Sequence, residues 1–130
     1  YLLERNFVVL KLNETPKDRQ SDIIHSKRNI FPIVDENDCL IGIIYSERLF
    51  SMLLGEEEGV NRTFASLAQK ANDIIKVDEN MDTVMRKMNR EDIWILPVVD
   101  LNGKYLGFIS KAAVFNKYRA LLMRQGNYLE

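Results

Sequence analysis

The 130-residue sequence is poor in the residues that form disulfides, bind metals or act as nucleophiles. It contains one cysteine, Cys39, and one histidine, His25. A single cysteine cannot form an internal disulfide, so we expect a reducing compartment. Zinc sites and His-dependent triads need several such residues. The acidic stretch 35–38 lacks the glycine and glutamate of an EF-hand, and we expect a hairpin turn there. We therefore predict neither a catalytic role nor a metal centre.

The sequence also lacks an excess of one charge and a long apolar run. The net charge is −1, and acidic and basic residues are interspersed. Proteins that bind nucleic acids show a basic stripe, so we predict no nucleic-acid partner. The longest apolar run, 93–99, is far shorter than the roughly 20 residues that span a bilayer. The sequence begins at Tyr1 without an initiating methionine or a secretory leader, and we expect it to be part of a longer protein.

What the sequence does contain is one pattern present twice, at an offset of 65 residues and without insertions. The stretch 30–50 is identical to the stretch 95–115 at eight of 21 positions. A unit of this size alone would bury too little apolar surface to be comfortably stable, so we expect the copies to pack on each other. Repeated domains usually place function where the copies meet.

Each copy predicts the order strand, helix, strand, strand, helix. The predicted strands are 8–12, 30–34, 40–44, 74–77, 95–99 and 105–109. Thr15 and Asn80 are the expected N-caps of the helices that follow the first strand of each copy. Gly55 is the expected stop of the second helix, and a final helix begins at about Lys111. Asn102-Gly103 predicts a tight hairpin turn in which both central residues have positive φ.

The copies differ in their first helix. Val84 and Met85 lie on the predicted core face in the second copy, whereas Arg19 and Gln20 stand at the same positions of the first. Either the first helix is more exposed to solvent, or it faces a partner or a polar ligand. Both alternatives are open at this point.

The first copy contains Phe-Pro-Ile-Val-Asp at 31–35 and then Gly42-Ile43-Ile44. The second copy contains Leu-Pro-Val-Val-Asp at 96–100 and then the segment 107–110. This repeated pattern resembles the cystathionine-β-synthase (CBS) domain pair, or Bateman module. The resemblance implies an α+β fold of two β-α-β-β-α repeats that pack pseudo-symmetrically into a disc. Residues 1–58 would form repeat 1, truncated at its N-terminus, and residues 59–130 would form repeat 2. In that family the pair often dimerises, holds adenosine nucleotides between the repeats and regulates an attached enzyme, transporter or channel.

The second copy carries a finer resemblance, in 94–100, 105–111 and 116–119, to the C-terminal CBS pair of bacterial voltage-gated-type chloride channels and transporters. It implies a homodimer on the cytoplasmic side of the inner membrane, attached to a transmembrane channel domain of the parent chain. No cofactor is required, and the implied ligand is an adenosine nucleotide (ATP, ADP or AMP). Two alternatives stay open: a regulatory pair of a soluble enzyme, such as a nucleotide-biosynthetic dehydrogenase, and a ligand-free dimerisation domain.

The resemblance also implies where a nucleotide would bind. The family uses a Ser or Thr, and an Asp three residues later, at the start of the closing helix of a repeat, where the helix N-terminus adds partial positive charge. The second copy has Ser110 and Lys111, but Ala113 replaces the Asp. The first copy has Tyr45 at the hydroxyl position and Arg48 at the Asp position. The other predicted cleft residues are Ile74, Leu96, Pro32 and Pro97, and the two prolines are expected to mark the start of an edge strand.

The roles of these residues stay open at this point. Either Ser110 and Lys111 contact a phosphate group, or Ser110 only caps the last helix. Arg48 contacts a phosphate, or it is an exposed helix charge. A hydrogen bond to a charged group contributes about 1.5–3 kcal/mol, or roughly ten- to a hundredfold in affinity, so the missing carboxylate predicts weak binding. We expect at most one working cleft, built chiefly on the second copy.

Overall fold

Each half of the chain folds into a three-stranded sheet with flanking helices. The computed structural model describes residues 2–90 and 92–129, with side chains as far as residue 126. The strands are β1 (Leu10–Lys11), β2 (Ile30–Val34), β3 (Leu40–Tyr45), β4 (Ile75–Lys76), β5 (Ile95–Val99) and β6 (Tyr105–Ser110). The helices are α1 (Gln20–His25), α2 (Ser46–Leu53), α3 (Phe64–Leu67), α4 (Met81–Met88) and α5 (Lys111–Leu129). This architecture confirms the predicted α+β fold class.

The two sheets have the same strand order and the same register. β2 lies between β1 and β3, and β5 lies between β4 and β6; in each sheet the first pair is parallel and the second antiparallel. Pro32 pairs with Ile43, and Pro97 with Phe108. The expectation that these prolines mark an edge strand is wrong, because both lie within the middle strand. They are tolerated there because β1 and β4 are only two residues long and pair beyond the prolines, which leaves the proline nitrogens without a required partner.

The two repeats are joined by backbone pairing between each sheet and the segment that leads into the other repeat. Residues 2–9, the first lead segment, pair with β6: the N–H groups of Glu4 and Phe108 donate to each other's carbonyls at 2.8 and 2.9 Å. Residues 68–74, the second lead segment, pair with β3 in the same way, with 2.8 Å bonds in both directions between Ile43 and Gln69. The two bridges are antiparallel and are 65 residues apart in the sequence. Each sheet is therefore completed by the other repeat.

A glycine in each repeat makes this pairing possible. A Cβ atom on Gly42 would lie 2.7 Å from the carbonyl oxygen of Gln69 and 2.9 Å from the Cβ of Ala68. A Cβ on Gly107 would collide with the carbonyl oxygen of Glu4. Carbon atoms do not approach backbone oxygen this closely in folded proteins. Glycine is needed at these positions because the neighbouring backbone occupies the place of a side chain.

The apolar side chains form one core in each repeat and a third cluster where the repeats meet. The central cluster is built on Ile30, Ile43 and Phe108 and takes side chains from both lead segments, among them Phe7 and Ala71. The ring centroids of Phe7 and Phe108 are 4.4 Å apart. The core of repeat 1 also contains two residues that follow the predicted boundary at residue 59, the buried Phe64 and Leu67 of α3. The sequence pattern did not predict α3, which is four residues long.

Most local signals appear in the structure as predicted. The side chain of Asn80 accepts the N–H of Thr83 at 2.9 Å, which confirms that Asn80 is an N-cap. The hydroxyl of Thr15 accepts the N–H of Asp18 at 3.1 Å, although regular helix begins only at Gln20, one turn later. Gly55 follows α2 with a φ of +80° and ends it as predicted.

The turn prediction at Asn102-Gly103 is wrong in one respect. Gly103 has a positive φ of +84°, but Asn102 does not. The loop is one residue longer than a two-residue turn, and the carboxylate of Asp100 accepts the N–H groups of Asn102 and Lys104 at 2.8 and 2.9 Å. The turn of repeat 1 has the same form, with Asp38 (φ +64°) in the place of Gly103. The side chain of the residue before the turn fixes its shape, so that only one position needs positive φ.

Arg19 occupies the position of Val84 because it closes a local ion network. Its guanidinium donates to the carbonyl of Val9 at 3.0 Å and to the carboxylates of Glu14 and Asp22 at 2.7 and 2.9 Å. Burial alone would lower the pKa of Arg19, but the two carboxylates outweigh it and raise that pKa. The polar face of α1 thus contacts the start of its own repeat. Val84, by contrast, is buried in the core of repeat 2.

Replacing Gly42 by Ala should break the bridge to the second lead segment. The new methyl group would displace the Gln69 carbonyl, and we expect the free energy of unfolding to fall by about 2–4 kcal/mol. Gly126→Ala is the matched control, since nothing lies within 4 Å of a Cβ at that position of α5. This change should be neutral or stabilise the protein by up to about 1 kcal/mol. Urea unfolding followed by circular dichroism measures both, and equal effects would contradict the role given to Gly42.

Candidate functional site

The start of each closing helix is anchored to the residue that precedes the middle strand of the same repeat. The N–H of Ser46, the first residue of α2, donates to the carbonyl of Asn29 at 2.9 Å. The N–H of Lys111, the first residue of α5, donates to the carbonyl of Trp94 at 2.8 Å. These bonds fix two equivalent helix N-termini, which carry the partial positive charge that favours anions.

A lead segment from the other repeat passes beside each of these helix starts. Glu4 pairs with Phe108, two residues before Ser110, and its carboxylate accepts a bond from Arg28 of repeat 1 at 2.8 Å. The start of α5 and the first lead segment thus adjoin the same strand, β6, and we call the region between them the α5 cleft. The pseudo-symmetric α2 cleft is bordered by the start of α2 and by the second lead segment. The sequence-predicted Ser110, Lys111 and Ala113 belong to the first, and Tyr45 and Arg48 to the second. The antiparallel register of Ile43 with Gln69 places Ile74 at the other end of the second lead segment, away from the start of α2.

Ser110 acts as the cap of α5 in the structure. Its hydroxyl oxygen accepts the N–H of Ala113 at 3.2 Å, and its side chain is half-buried. The cap and a phosphate contact are compatible, because the hydroxyl proton is still free to donate. The methyl group of Ala113 is also half-buried, but it brings no charge to this turn.

Lys111 lies against an aromatic surface that the sequence pattern did not assign to the site. Its Nζ is 5.3 Å from the ring centre of Trp94 and 5.6 Å from that of Phe115, and it donates to the carbonyl of Arg90 at 3.1 Å. Trp94 is 73 % exposed, although it lies in the apolar run 93–99. A cation over an exposed indole contributes about 0.5–1 kcal/mol, which holds the ammonium group near the start of α5.

Arg28 is a second cation that the sequence pattern did not single out. Its guanidinium lies 4.3 Å from the ring centre of Phe7 and bonds to Glu4 and Asn6. No local signal marks it, because its counterpart in repeat 2 is the buried Ile93. Burial raises the pKa of the nearby Tyr105 phenol, and the charge of Arg28 offsets this only in part. Tyr105 therefore stays protonated, and its hydroxyl is buried without a partner among the described residues.

The α2 cleft is occupied by contacts within the protein. The guanidinium of Arg48 donates to the carbonyl of Leu67 at 3.0 Å and to Glu57 at 3.3 Å, so it fastens α3 to α2. Neither alternative considered for Arg48 describes this contact, since the side chain is neither freely exposed nor turned to an open anion site. Tyr45 is 42 % exposed and Ile74 is 37 % exposed.

The remaining predicted cleft residues lie in the interior. Leu96 packs in the core of repeat 2 and is 1 % exposed. Pro32 and Pro97 are buried within β2 and β5. These three residues shape the strands that carry the clefts, whereas their side chains pack away from solvent.

The described residues contain neither a metal-binding cluster nor a long apolar helix. No group of three or more His, Cys, Asp or Glu side chains is placed to hold a metal ion in residues 2–90 and 92–129. None of the helices in that part of the chain combines the length and the apolar character needed to cross a bilayer.

The geometry described so far defines a pair of like repeats that share their sheets, and known proteins show the same arrangement. Residues 69–120 match the family model of the CBS domain. The first repeat carries the same sequence pattern 65 residues earlier, and the chain has the fold of solved CBS domain pairs.

Two curated relatives match most of this chain but only part of their own length. The chain is 29 % identical over 116 residues to a homoserine O-acetyltransferase of Methanococcus vannielii, which covers 88 % of this chain and 23 % of the relative. It is 24 % identical over 115 residues to an uncharacterised protein of Methanocaldococcus jannaschii, covering 87 % of this chain and 52 % of the relative. The chain thus spans about a quarter and about half of these two proteins.

Solved structures share the fold at low sequence identity. The CBS pair of a putative Mg²⁺ transporter from Shewanella oneidensis superposes with a TM-score of 0.76 at 18 % identity, over 92 % of this chain and 68 % of that one. The cytosolic domain of the Mg²⁺ channel MgtE in complex with ATP gives 0.70 at 19 %, over 88 % and 46 %. CbpB in complex with c-di-AMP gives 0.73 at 13 %, over 98 % and 87 %.

Arg48→Met should reveal the structural role of this residue. The change retains most of the apolar stem but leaves the Leu67 carbonyl without its charged donor, and we expect a loss of about 1–3 kcal/mol in the free energy of unfolding. Arg86→Met is the control, because Arg86 is exposed and bonds only within its own helix. Chemical denaturation measures both, and an Arg48→Met protein as stable as the control would show that the contact contributes nothing.

Proposed function

We propose that the chain is a non-catalytic regulatory module that binds an adenosine nucleotide (ATP, ADP or AMP) in the α5 cleft. The supporting observation is the junction at Glu4, whose backbone pairs with repeat 2 beside Ser110 and whose carboxylate holds Arg28 of repeat 1. A ligand at the start of α5 contacts both repeats. Its binding free energy then depends on their arrangement, which is the condition for regulation.

The charges of the α5 cleft suit the phosphate groups of such a ligand. Lys111 is held over Trp94 at the N-terminus of α5, so one cation and a helix dipole act at the place where a phosphate would bind, and Arg28 adds a second positive charge farther along the first lead segment. Glu4 already neutralises part of Arg28, and Ala113 offers no carboxylate to the ribose hydroxyls. The proposed affinity is therefore low. MgtE with ATP and CbpB with c-di-AMP show that this fold accommodates adenine nucleotides in other proteins.

Ala113→Asp should strengthen adenosine nucleotide binding. The new carboxylate would lie one turn into α5, where the helix N-terminus stabilises negative charge, and it would accept the ribose hydroxyls. We expect the dissociation constant to fall roughly ten- to a hundredfold. Ala113→Asn is the matched control, with similar size and no charge. Calorimetry with ATP, ADP and AMP measures all three proteins.

Ser110→Ala should act in the opposite direction on ligands that carry phosphate. It removes one hydrogen bond to a charged group and should weaken binding by roughly tenfold. The same panel extends to c-di-AMP and S-adenosylmethionine. Absence of heat at millimolar ligand in the wild type and in Ala113→Asp would refute the nucleotide proposal and leave the ligand-free dimerisation domain.

For the parent protein we propose a chloride channel or transporter, with this module on the cytoplasmic side of the inner membrane and attached to the transmembrane channel domain. The support is the resemblance of the second copy, together with the shared fold of the cytosolic parts of ion transporters. A second candidate is the regulatory pair of a soluble enzyme, which the match to a homoserine O-acetyltransferase favours. The gene upstream of Tyr1 separates them: ten or more apolar spans support the first, and a soluble catalytic domain supports the second.

We also propose that the module forms a homodimer through its helices. Large apolar side chains are exposed on α1, at the end of α2 and on α5, namely Ile24, Phe50, Leu54, Leu122 and Met123. Large apolar side chains left exposed on helices are candidates for such an interface. Light scattering on Ile24→Glu should give a monomer where the wild type gives a dimer. Ile41→Glu, on exposed β3 surface away from these helices, should leave the dimer intact, and a dimer that survives Ile24→Glu contradicts this interface.

A further inference from the structure

The hairpin turns of the two repeats pair with each other. The N–H of Leu40, the first residue of β3, donates to the carbonyl of Gly103 at 3.0 Å. The N–H of Tyr105, the first residue of β6, donates to the carbonyl of Asp38 at 2.9 Å. β3 and β6 therefore start side by side, and a molecule bound at this point would contact both repeats.

A cavity of about 390 Å³ opens beside this pairing, between β1, the start of β6 and the two turns. It adjoins the first residues of β6, whereas the α5 cleft lies at the opposite end of that strand. Small-molecule sites have volumes of about 300–1,000 Å³, so the space suits a small ligand. The apolar lining comes from Val9, Val34, Tyr105 and Leu106, and the charged residues are Lys11, Asp38, Asp100 and Lys104.

Two of the charged side chains are paired with each other, and the other two keep unpaired atoms. The Lys11 ammonium lies 2.7 Å from the Asp38 carboxylate, and this contact lowers the pKa of Asp38. One oxygen of Asp100 accepts the N–H groups of Asn102 and Lys104, and no described residue donates to its second oxygen. The Lys104 ammonium is exposed and forms no ion pair within residues 2–90 and 92–129.

The other half of the molecule shows that the fold does not require these charges. At the equivalent positions, 65 residues away, Cys39 corresponds to Lys104, and Gly103 corresponds to Asp38. Asp38 has a φ of +64°, a conformation that glycine adopts more readily. The chain thus keeps a carboxylate at the cavity although glycine fits the turn better. Such local strain is concentrated at functional sites.

We propose that this cavity binds a free amino acid with a large apolar side chain. The groups with unpaired atoms, Asp100 and Lys104, have opposite charges and suit the ammonium and the carboxylate of one amino acid. Two lysines and two aspartates give the cavity no net charge, which favours a zwitterion over a phosphate. The apolar lining suits the side chain of the ligand. Because Val9 and Val34 belong to repeat 1, the bound amino acid would join the two repeats.

Equilibrium dialysis of the whole chain with labelled leucine, methionine and phenylalanine tests the proposal. We expect saturable binding that unlabelled leucine displaces. Isopentylamine and isocaproate keep the apolar part of leucine but only one of its charged groups, and each should bind at least tenfold more weakly. Absence of binding at millimolar amino acid would overturn the proposal, as would binding of either single-charge compound as tight as that of leucine.

The repeated turn provides a matched control for a variant of the site. Asp100→Asn keeps an oxygen for the N–H groups of the turn but removes the charge, and we expect at least a tenfold loss of affinity for leucine. Asp35→Asn makes the same change in the turn of repeat 1, where Asp35 accepts the N–H groups of Asn37 and Cys39. It should leave the affinity unchanged, and equal losses in both variants would overturn the proposal.

A second pair of variants does not involve the turns. Lys104→Met should weaken leucine binding at least tenfold, whereas Lys76→Met, on exposed β4 surface outside the cavity, should not. Unchanged binding in Lys104→Met would overturn the proposal. Ser110→Ala should leave leucine binding intact, because Ser110 lies at the other end of β6. The amino acid site and the nucleotide site can therefore fail independently of each other.

Discussion

The structure depends on the backbone exchange between the repeats, in which each lead segment pairs with the third strand of the other sheet. The exchange requires glycine at residues 42 and 107, where the partner carbonyl stands in the place of a side chain. Because the pairing joins segments far apart in the chain, neither sheet is complete until both repeats are folded. The central cluster around Phe108 then packs beneath the exchanged strands and takes side chains from both repeats.

The same exchange determines where a ligand could act. A helix start from one repeat and a lead segment from the other border each cleft, so a molecule bound there contacts two bodies whose relation it can change. In the α5 cleft the contact passes through Glu4, which links the strand before Ser110 to Arg28. In the α2 cleft Arg48 already makes the link to α3 through the Leu67 carbonyl. The two clefts thus have the same backbone arrangement, but a side-chain contact within the protein occupies the α2 cleft.

The sequence predicts the elements whose signal is local and fails where the cause is tertiary. β2 and β5 have the predicted limits because short β-branched runs end at an Asp that forms a turn, and Asn80 caps α4 because its side chain needs only its own helix. The exchange at Glu4 and Gln69 has no local pattern, since the required feature is a missing Cβ on a distant strand. For the same reason, the sequence pattern indicated neither the contact of Arg48 with the Leu67 carbonyl nor the contact of Arg28 with Glu4. α3 is a single turn, too short for helical periodicity to show.

The difference between the two clefts has its origin in one residue position. α3 fills the core of repeat 1, and its last carbonyl, on Leu67, binds Arg48, so the closed core and the occupied α2 cleft belong together. At the equivalent position of repeat 2 stands Ala113, whose methyl group cannot make such a bond. The start of α5 therefore lacks the arginine contact that links α2 to the core of its own repeat, and its polar groups are the Ser110 hydroxyl and the Lys111 ammonium.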